Sequence, residues 1–129
     1  QPKAKLIGVV QAGFPIHSDG FEGENLNMSL DELIVRNPVS TFFMRVSGLS
    51  MKNIGIFEGD LVVVDRSRGA KNGDVVVCYL DQGFTLKRLQ TNGKEARLIA
   101  EDGLMPELKL GADDDTVWGV VTAVVRQLH

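Results

Sequence analysis

From Thr41 onward the chain is a succession of short apolar runs, β-branched and aromatic, each closed by a polar turn. Thr41 to Val46 (TFFMRV), Leu61 to Asp65 (LVVVD), Val75 to Leu80 (VVVCYL), FTLKRLQ, KEARLIA and a last run from Thr116 to Val125 all favour a pleated surface. EGD, KNGD, DQG and Asn92-Gly93 separate them, the last being a strong signal for a two-residue hairpin. Strands do not alternate with helical segments, which argues against a parallel sheet. The expected fold is therefore mainly β: a small, curved, largely antiparallel domain.

One segment breaks this pattern. In NMSLDELIVRNP, Ser29 and Glu32 have capping-box spacing and Asp31 and Glu32 sit in the first turn. Pro38 forces an end by about Arg36 or Asn37, so a single short helix is expected from Leu30. Upstream, the apolar run Leu6 to Val10 reads as a strand leading into an irregular arm with Pro15, Ser18, Asp19 and several glycines. The expected division is an arm over residues 1–26 and a β domain over residues 27–129.

A chain of 129 residues with 43% hydrophobic content is enough for one folded, soluble domain with its own core. A formal charge of −3 gives no general attraction for nucleic acid or acidic lipid, so direct nucleic-acid binding by this domain is not expected. The single cysteine, Cys78, excludes an internal disulfide and fits a reducing, cytoplasmic setting, which leaves the sequon at Asn27 without a use. No apolar run approaches the roughly 18 residues of a membrane span, and QPKAKLIGVVQAG makes a poor signal peptide. The missing initiator Met points to a fragment or a processed chain.

The chemistry narrows by elimination. His17 lies in the arm and His129 is the last residue, so neither is placed to be oriented by a buried carboxylate. One cysteine and two histidines supply no zinc site, and no glycine-rich loop with GxxxxGK precedes a helix. Asp113, Asp114 and Asp115 lack calcium-loop spacing and read as a solvated turn, while Cys78 reads as a core thiol. Lysine remains as a base, provided that burial favours its neutral form. Lys87 has suitable surroundings. If DQG connects the hairpin, Val77 falls opposite it; a shorter turn is expected to bring Cys78 there. Thr85, Lys87 and Leu89 share one face of their strand. SGLSMKN, Ser47 to Asn53, offers Ser50 in a polar turn between core strands. On the residues alone, Ser50 reads first as an ordinary turn serine and Lys87 as a stem reaching solvent at a sheet edge.

VSGLSMKNIGIFEGDLVVVDR (Val46 to Arg66), NGDVVV (Asn72 to Val77), FTLKRL (Phe84 to Leu89) and WGVV (Trp118 to Val121) together resemble the self-cleaving LexA/UmuD family of the bacterial DNA-damage response. The resemblance covers nearly the whole chain and is nearer to UmuD in AGFP, in the helix ending in NP and in STFF. Leu49 and the stretch EDGLMPELKL depart from the usual UmuD wording. The family's nucleophile falls on Ser50 and its general base on Lys87, with backbone N–H groups of Leu49 and Ser50 available to an oxyanion. Its scissile Ala-Gly pair falls on Ala12 and Gly13, so the chain is expected in its uncleaved form. The resemblance further implies a homodimer, promotion of cleavage by a RecA-DNA filament, delivery of the product to a UmuC-like translesion polymerase, and no cofactor. A repressor's autocleavage region and a non-enzymatic interaction module are the alternatives.

Overall fold

The computed structural model describes residues 3–6, 10–13, 26–101, 108–110 and 116–129. It separates into two compact units, Gln1–Arg36 and Asn37–His129.

In the first unit, β1 (Ala4–Leu6) pairs antiparallel with β2 (Leu26–Met28), Ala4 opposite Met28. Of the strand expected over Leu6 to Val10, Leu6 ends β1, Val10 is an exposed, non-strand residue, and residues 7–9 lie outside the described residues. The position of β1 is set by pairing with LNM, whose polar Asn27 gives no strand signal of its own. Helix α1 (Leu30–Ile34) carries the expected capping box: Glu32 N–H donates to Ser29 Oγ at 3.1 Å, and Ser29 N–H reaches Glu32 Oε1 at 3.4 Å. It ends sooner than Arg36, because Val35, β-branched and three residues before the proline, is already extended. Glu32 also pairs with Lys3 at 2.9 Å.

The second unit is a seven-stranded sheet in which every pairing is antiparallel. Its strands are β3 (Thr41–Arg45), β4 (Leu61–Asp65), β5 (Val75–Leu80), β6 (Gly83–Thr91), β7 (Ala96–Ile99), β8 (Leu108–Leu110) and β9 (Val117–Val125). Their spatial order is β3-β4-β9-β5-β6-β7-β8, so the last strand of the chain enters the middle of the sheet. Strand β9 carries two register shifts, against Val63/Val64 of β4 and against Val77/Cys78 of β5. Such bulges bend the strand and increase its twist. Alternation then sends residues to two cores. Val62, Val64 and Val77 join Val46, Met51 and Ile56 on one face, while Val76, Cys78, Leu89, Leu98 and Val120 form the other. The fold is thus mainly β with, among the described residues, α1 as its single α-helix and 3-10 turns at Pro38–Ser40 and Lys52–Ile54.

Three local expectations are corrected. Leu80 pairs with Gly83, so the β5–β6 turn is Asp81-Gln82 and Lys87 faces Val76, neither Val77 nor Cys78. Asp81 and Gln82 both take positive φ (48° and 66°), which closes a two-residue turn without using Gly83. At the next hairpin Thr91 pairs with Ala96, leaving four residues in the loop. Only Gly93 there has positive φ, and the Asn92 side chain accepts from Lys94 N–H and Glu95 N–H, each at 2.9 Å. Strand β8, absent from the sequence reading, exists through its ladder with β7. His17 and Asp113 to Asp115 lie outside the described residues.

Candidate active site

The segment after β3 leaves the sheet at Val46 and turns at Gly48, whose φ of 95° suits glycine. Three hydrogen bonds tie it to the loop before β4. Val46 N–H donates to Asp60 O at 2.8 Å, Gly59 N–H donates to Val46 O at 2.8 Å, and Gly48 N–H donates to Glu58 Oε1 at 2.9 Å. Ser50 follows, half-buried. Met51 beyond it is only 2% exposed and packs into the first core, while its carbonyl accepts from Ile54 N–H and Ile56 N–H. Ser50 is thereby held between a pinned glycine and a buried methionine.

The supporting loop is itself locked. Asp60, 2% exposed, receives Arg126 Nε and Nη2 at 2.7 Å each and Phe57 N–H at 2.8 Å. The guanidinium, first, and the Phe57 amide, second, lower the Asp60 pKa from 3.8 to about 2. Arg126 also donates to Gly55 O at 2.9 Å and lies over the Phe57 ring at 4.8 Å. At the other end of β4, buried Asp65 accepts from Asn37 Nδ2, Ser40 Oγ, and both Ser67 N–H and Oγ. Those donors, Asn37 foremost, hold its carboxyl far below the ordinary carboxylate range.

Ser50 opens onto a cleft of about 170 Å³. Ser47, Gly48 and Met51 form one side; Phe84, Thr85 and Leu86 of β6 form another. Phe84 is half exposed and stands edge-on to Trp118 and Tyr79, with centroids 5.2 and 5.1 Å away, which fixes that wall. Lys87 is the residue immediately beyond this wall. It does not itself line the cleft: it pairs with Val76 of the second core, whereas its cleft-lining neighbour Leu86 pairs with Val77 of the first. It is 6% exposed, faces buried Val76, and its side chain makes no hydrogen bond or ion pair among the described residues. Its strand neighbour Arg88 is the one that takes Glu101, at 3.0 Å.

The expected oxyanion donors resolve unequally. Gly48 N–H is committed to Glu58, whereas the Leu49 and Ser50 amides have no acceptor among the described residues. Gln11, Ala12 and Gly13 are all exposed, and Gly13 has a φ of 115° that strains any other residue. Glu58, Asp60 and Arg126 did not emerge from sequence reasoning as parts of the site. The turn EGD was visible, but its tie to a residue near the C-terminus was not.

A family model described as peptidase S24-like matches residues 5–122. The chain belongs to that family. Membership places it at the level of self-cleaving serine peptidases of the LexA/UmuD type, in line with the resemblance carried by its motifs. Among curated relatives of this peptidase S24-like chain, protein MucA of Salmonella typhimurium is 41% identical over 115 residues, covering 88% of this chain and 77% of MucA. Protein ImpA of the same organism is 36% identical, covering 91% of this chain and 79% of ImpA. The LexA repressor of Aeromonas hydrophila subsp. hydrophila is 39% identical over 123 residues, 94% of this chain but 58% of the repressor.

Proposed function

We propose that this chain is a Ser-Lys autopeptidase of the DNA-damage response that cuts its own Ala12–Gly13 bond. One observation carries the reading: Lys87 is buried without a counter-ion among the described residues, on the same strand, β6, whose Phe84, Thr85 and Leu86 wall the cleft onto which Ser50 opens. Lys87 Nζ takes the Ser50 Oγ proton as the oxygen bonds to the Ala12 carbonyl carbon, and the Leu49 and Ser50 amides receive the developing oxyanion. The Ala12–Gly13 C–N bond breaks as Lys87 returns the proton to the Gly13 amine. Water, deprotonated by the same lysine, then hydrolyses the ester and restores Ser50. Exposure of Gln11 to Gly13 leaves that bond open to attack.

On this reading residues 1–26 are the cleavage arm and residues 27–129 the peptidase domain. The shortened product serves as a dimeric subunit of an error-prone, UmuC-like translesion polymerase in the cytoplasm, and a RecA-DNA filament promotes the cut by favouring the docked arm. Matches extending over 77% of MucA and 79% of ImpA support that assignment. The LexA matches support a second reading with identical chemistry, in which the chain is the autocleavage region of a repressor. Sequence-specific DNA binding by the full-length protein, lost on cleavage, would favour the second.

Incubation at alkaline pH with intact-mass measurement and N-terminal sequencing tests the chemistry without a partner. A product beginning at Gly13 is expected, formed faster as pH rises. Ser50→Ala and Lys87→Arg should both be inert, the latter because guanidinium stays protonated. Undiminished cleavage by either variant, or a product beginning elsewhere, overturns the assignment.

A further inference from the structure

We propose that Glu58 is a positioning residue of this peptidase, which sets the oxyanion donors by holding the Gly48 amide. The inference rests on the Ser50–Lys87 reading and deepens it. Of the three bonds that tie the segment from Val46 to Gly48 down to the loop before β4, two join backbone to backbone and survive any side-chain change. The third, Gly48 N–H to Glu58 Oε1 at 2.9 Å, depends on one side chain and lies nearest to Ser50.

Gly48 needs such a tie. A Cβ at this position would meet nothing within 4 Å, so glycine is there for its φ of 95° and not for space. The residue that reaches this conformation most readily also has the most alternatives to it. The Glu58 carboxylate selects one, and a charged acceptor makes a shorter and stronger bond than a neutral one. Two consequences follow for the cleft. The Gly48 amide is occupied and cannot serve as an oxyanion donor, so that function falls to Leu49 and Ser50. Their peptide planes lie between Gly48, fixed by Glu58, and Leu49 O, which accepts from Lys52 N–H at 3.1 Å. Glu58 makes no ion pair among the described residues, which leaves its carboxylate to this single contact.

Removing a whole oxyanion donor costs roughly 10²–10³ in kcat, so loosening the pair without deleting either donor should cost about tenfold. The test uses the full chain and the first-order rate of self-cleavage across alkaline pH. For Glu58→Ala we expect an about tenfold lower rate at every pH, with the profile unmoved along the pH axis because the base is untouched. Glu58→Gln, which keeps an acceptor oxygen, should recover most of the rate. Melting of the same substitutions in a Ser50→Ala background, where no cleavage occurs, should differ little from Ser50→Ala alone. A Glu58→Ala rate equal to wild type overturns the inference while leaving the dyad intact. So does a loss that Gln fails to restore and that tracks a lower melting temperature, since that marks a merely structural role. Absence of cleavage in the wild type defeats the dyad reading itself.

Discussion

Replacing Gly119 with alanine puts a methyl group where the sheet has no room for one. A Cβ built on Gly119 lies 2.6 Å from Val64 Cγ1 and 3.5 Å from both Arg66 Cγ and Asp65 O. An ordinary carbon–carbon contact is about 3.5–4.0 Å, so the overlap with Val64 is roughly 1 Å. Val64 cannot retreat cheaply: it is wholly buried, β-branched, and packed among Met51, Val62 and Val77. Overpacking of this kind costs about 1–3 kcal/mol, which for a domain of this size lowers the melting temperature by about 5–20 °C. Because Val64 shares its cluster with Met51, next to Ser50, self-cleavage should slow as well. Thermal and urea unfolding of Gly119→Ala, Val64→Ala and the double variant, each on a Ser50→Ala background, isolate the cause. If the clash carries the cost, adding Gly119→Ala to Val64→Ala should be close to neutral. A single Gly119→Ala variant as stable as its parent, or a penalty unchanged when Val64 is shortened, would refute the reasoning.

The Asp60 carboxyl has its folded-state pKa depressed from 3.8 to about 2, so its contribution to stability is present above about pH 4 and lost as pH falls toward 2. Arg126→Gln removes the largest cause of that depression and should shift the acid unfolding midpoint, followed by circular dichroism, to higher pH. At the β5–β6 turn, Gln82→Gly relieves a side chain held at positive φ and should raise stability by up to about 1 kcal/mol in urea unfolding, since left-handed backbone costs an L-residue roughly 1–2 kcal/mol. Cys78 is completely buried and should react with a chromogenic thiol reagent only at the rate of unfolding, with rapid labelling of the native chain as the contrary result.

Sequence legibility followed the range of the interactions. The capping box at Ser29 and Glu32, strands β4 and β5 to the residue, and the apolar setting of Lys87 all depend on neighbours within a few positions or on period-two alternation. Turn closure was read less well. Glycine was expected to occupy the turn at DQG, yet Asp81 and Gln82 take the left-handed conformations and Gly83 begins β6, which moves every partner of Lys87's strand. Asn92-Gly93 failed as a two-residue turn because the Asn92 side chain caps a wider loop. Strand β8 and the Asp60–Arg126 pair were illegible for another reason. Each exists only because a distant segment is brought alongside, and neither LKL nor a lone arginine near the C-terminus carries a local signal of that.

The distribution of carboxylates bears on the proposal that Lys87 is the base. An acid beside Lys87 would stabilise the ammonium and hold the proton that catalysis must move. Five described carboxylates of the second unit have other duties. Asp60 binds Arg126, Asp65 gathers Asn37, Ser40 and Ser67, and Glu58 holds the Gly48 amide. Asp74 accepts from Lys71 N–H, and Glu101 pairs with Arg88 on the strand that carries Lys87 itself. Each of these contacts keeps a negative charge engaged elsewhere, and those of Glu58 and Asp60 also hold backbone beside Ser50. A histidine base needs a carboxylate to orient it, but a buried lysine needs its absence. Glu58 and Asp60, which tie down the segment before Ser50 and the loop beside it, are thereby engaged away from Lys87, whose side chain has no ion pair among the described residues.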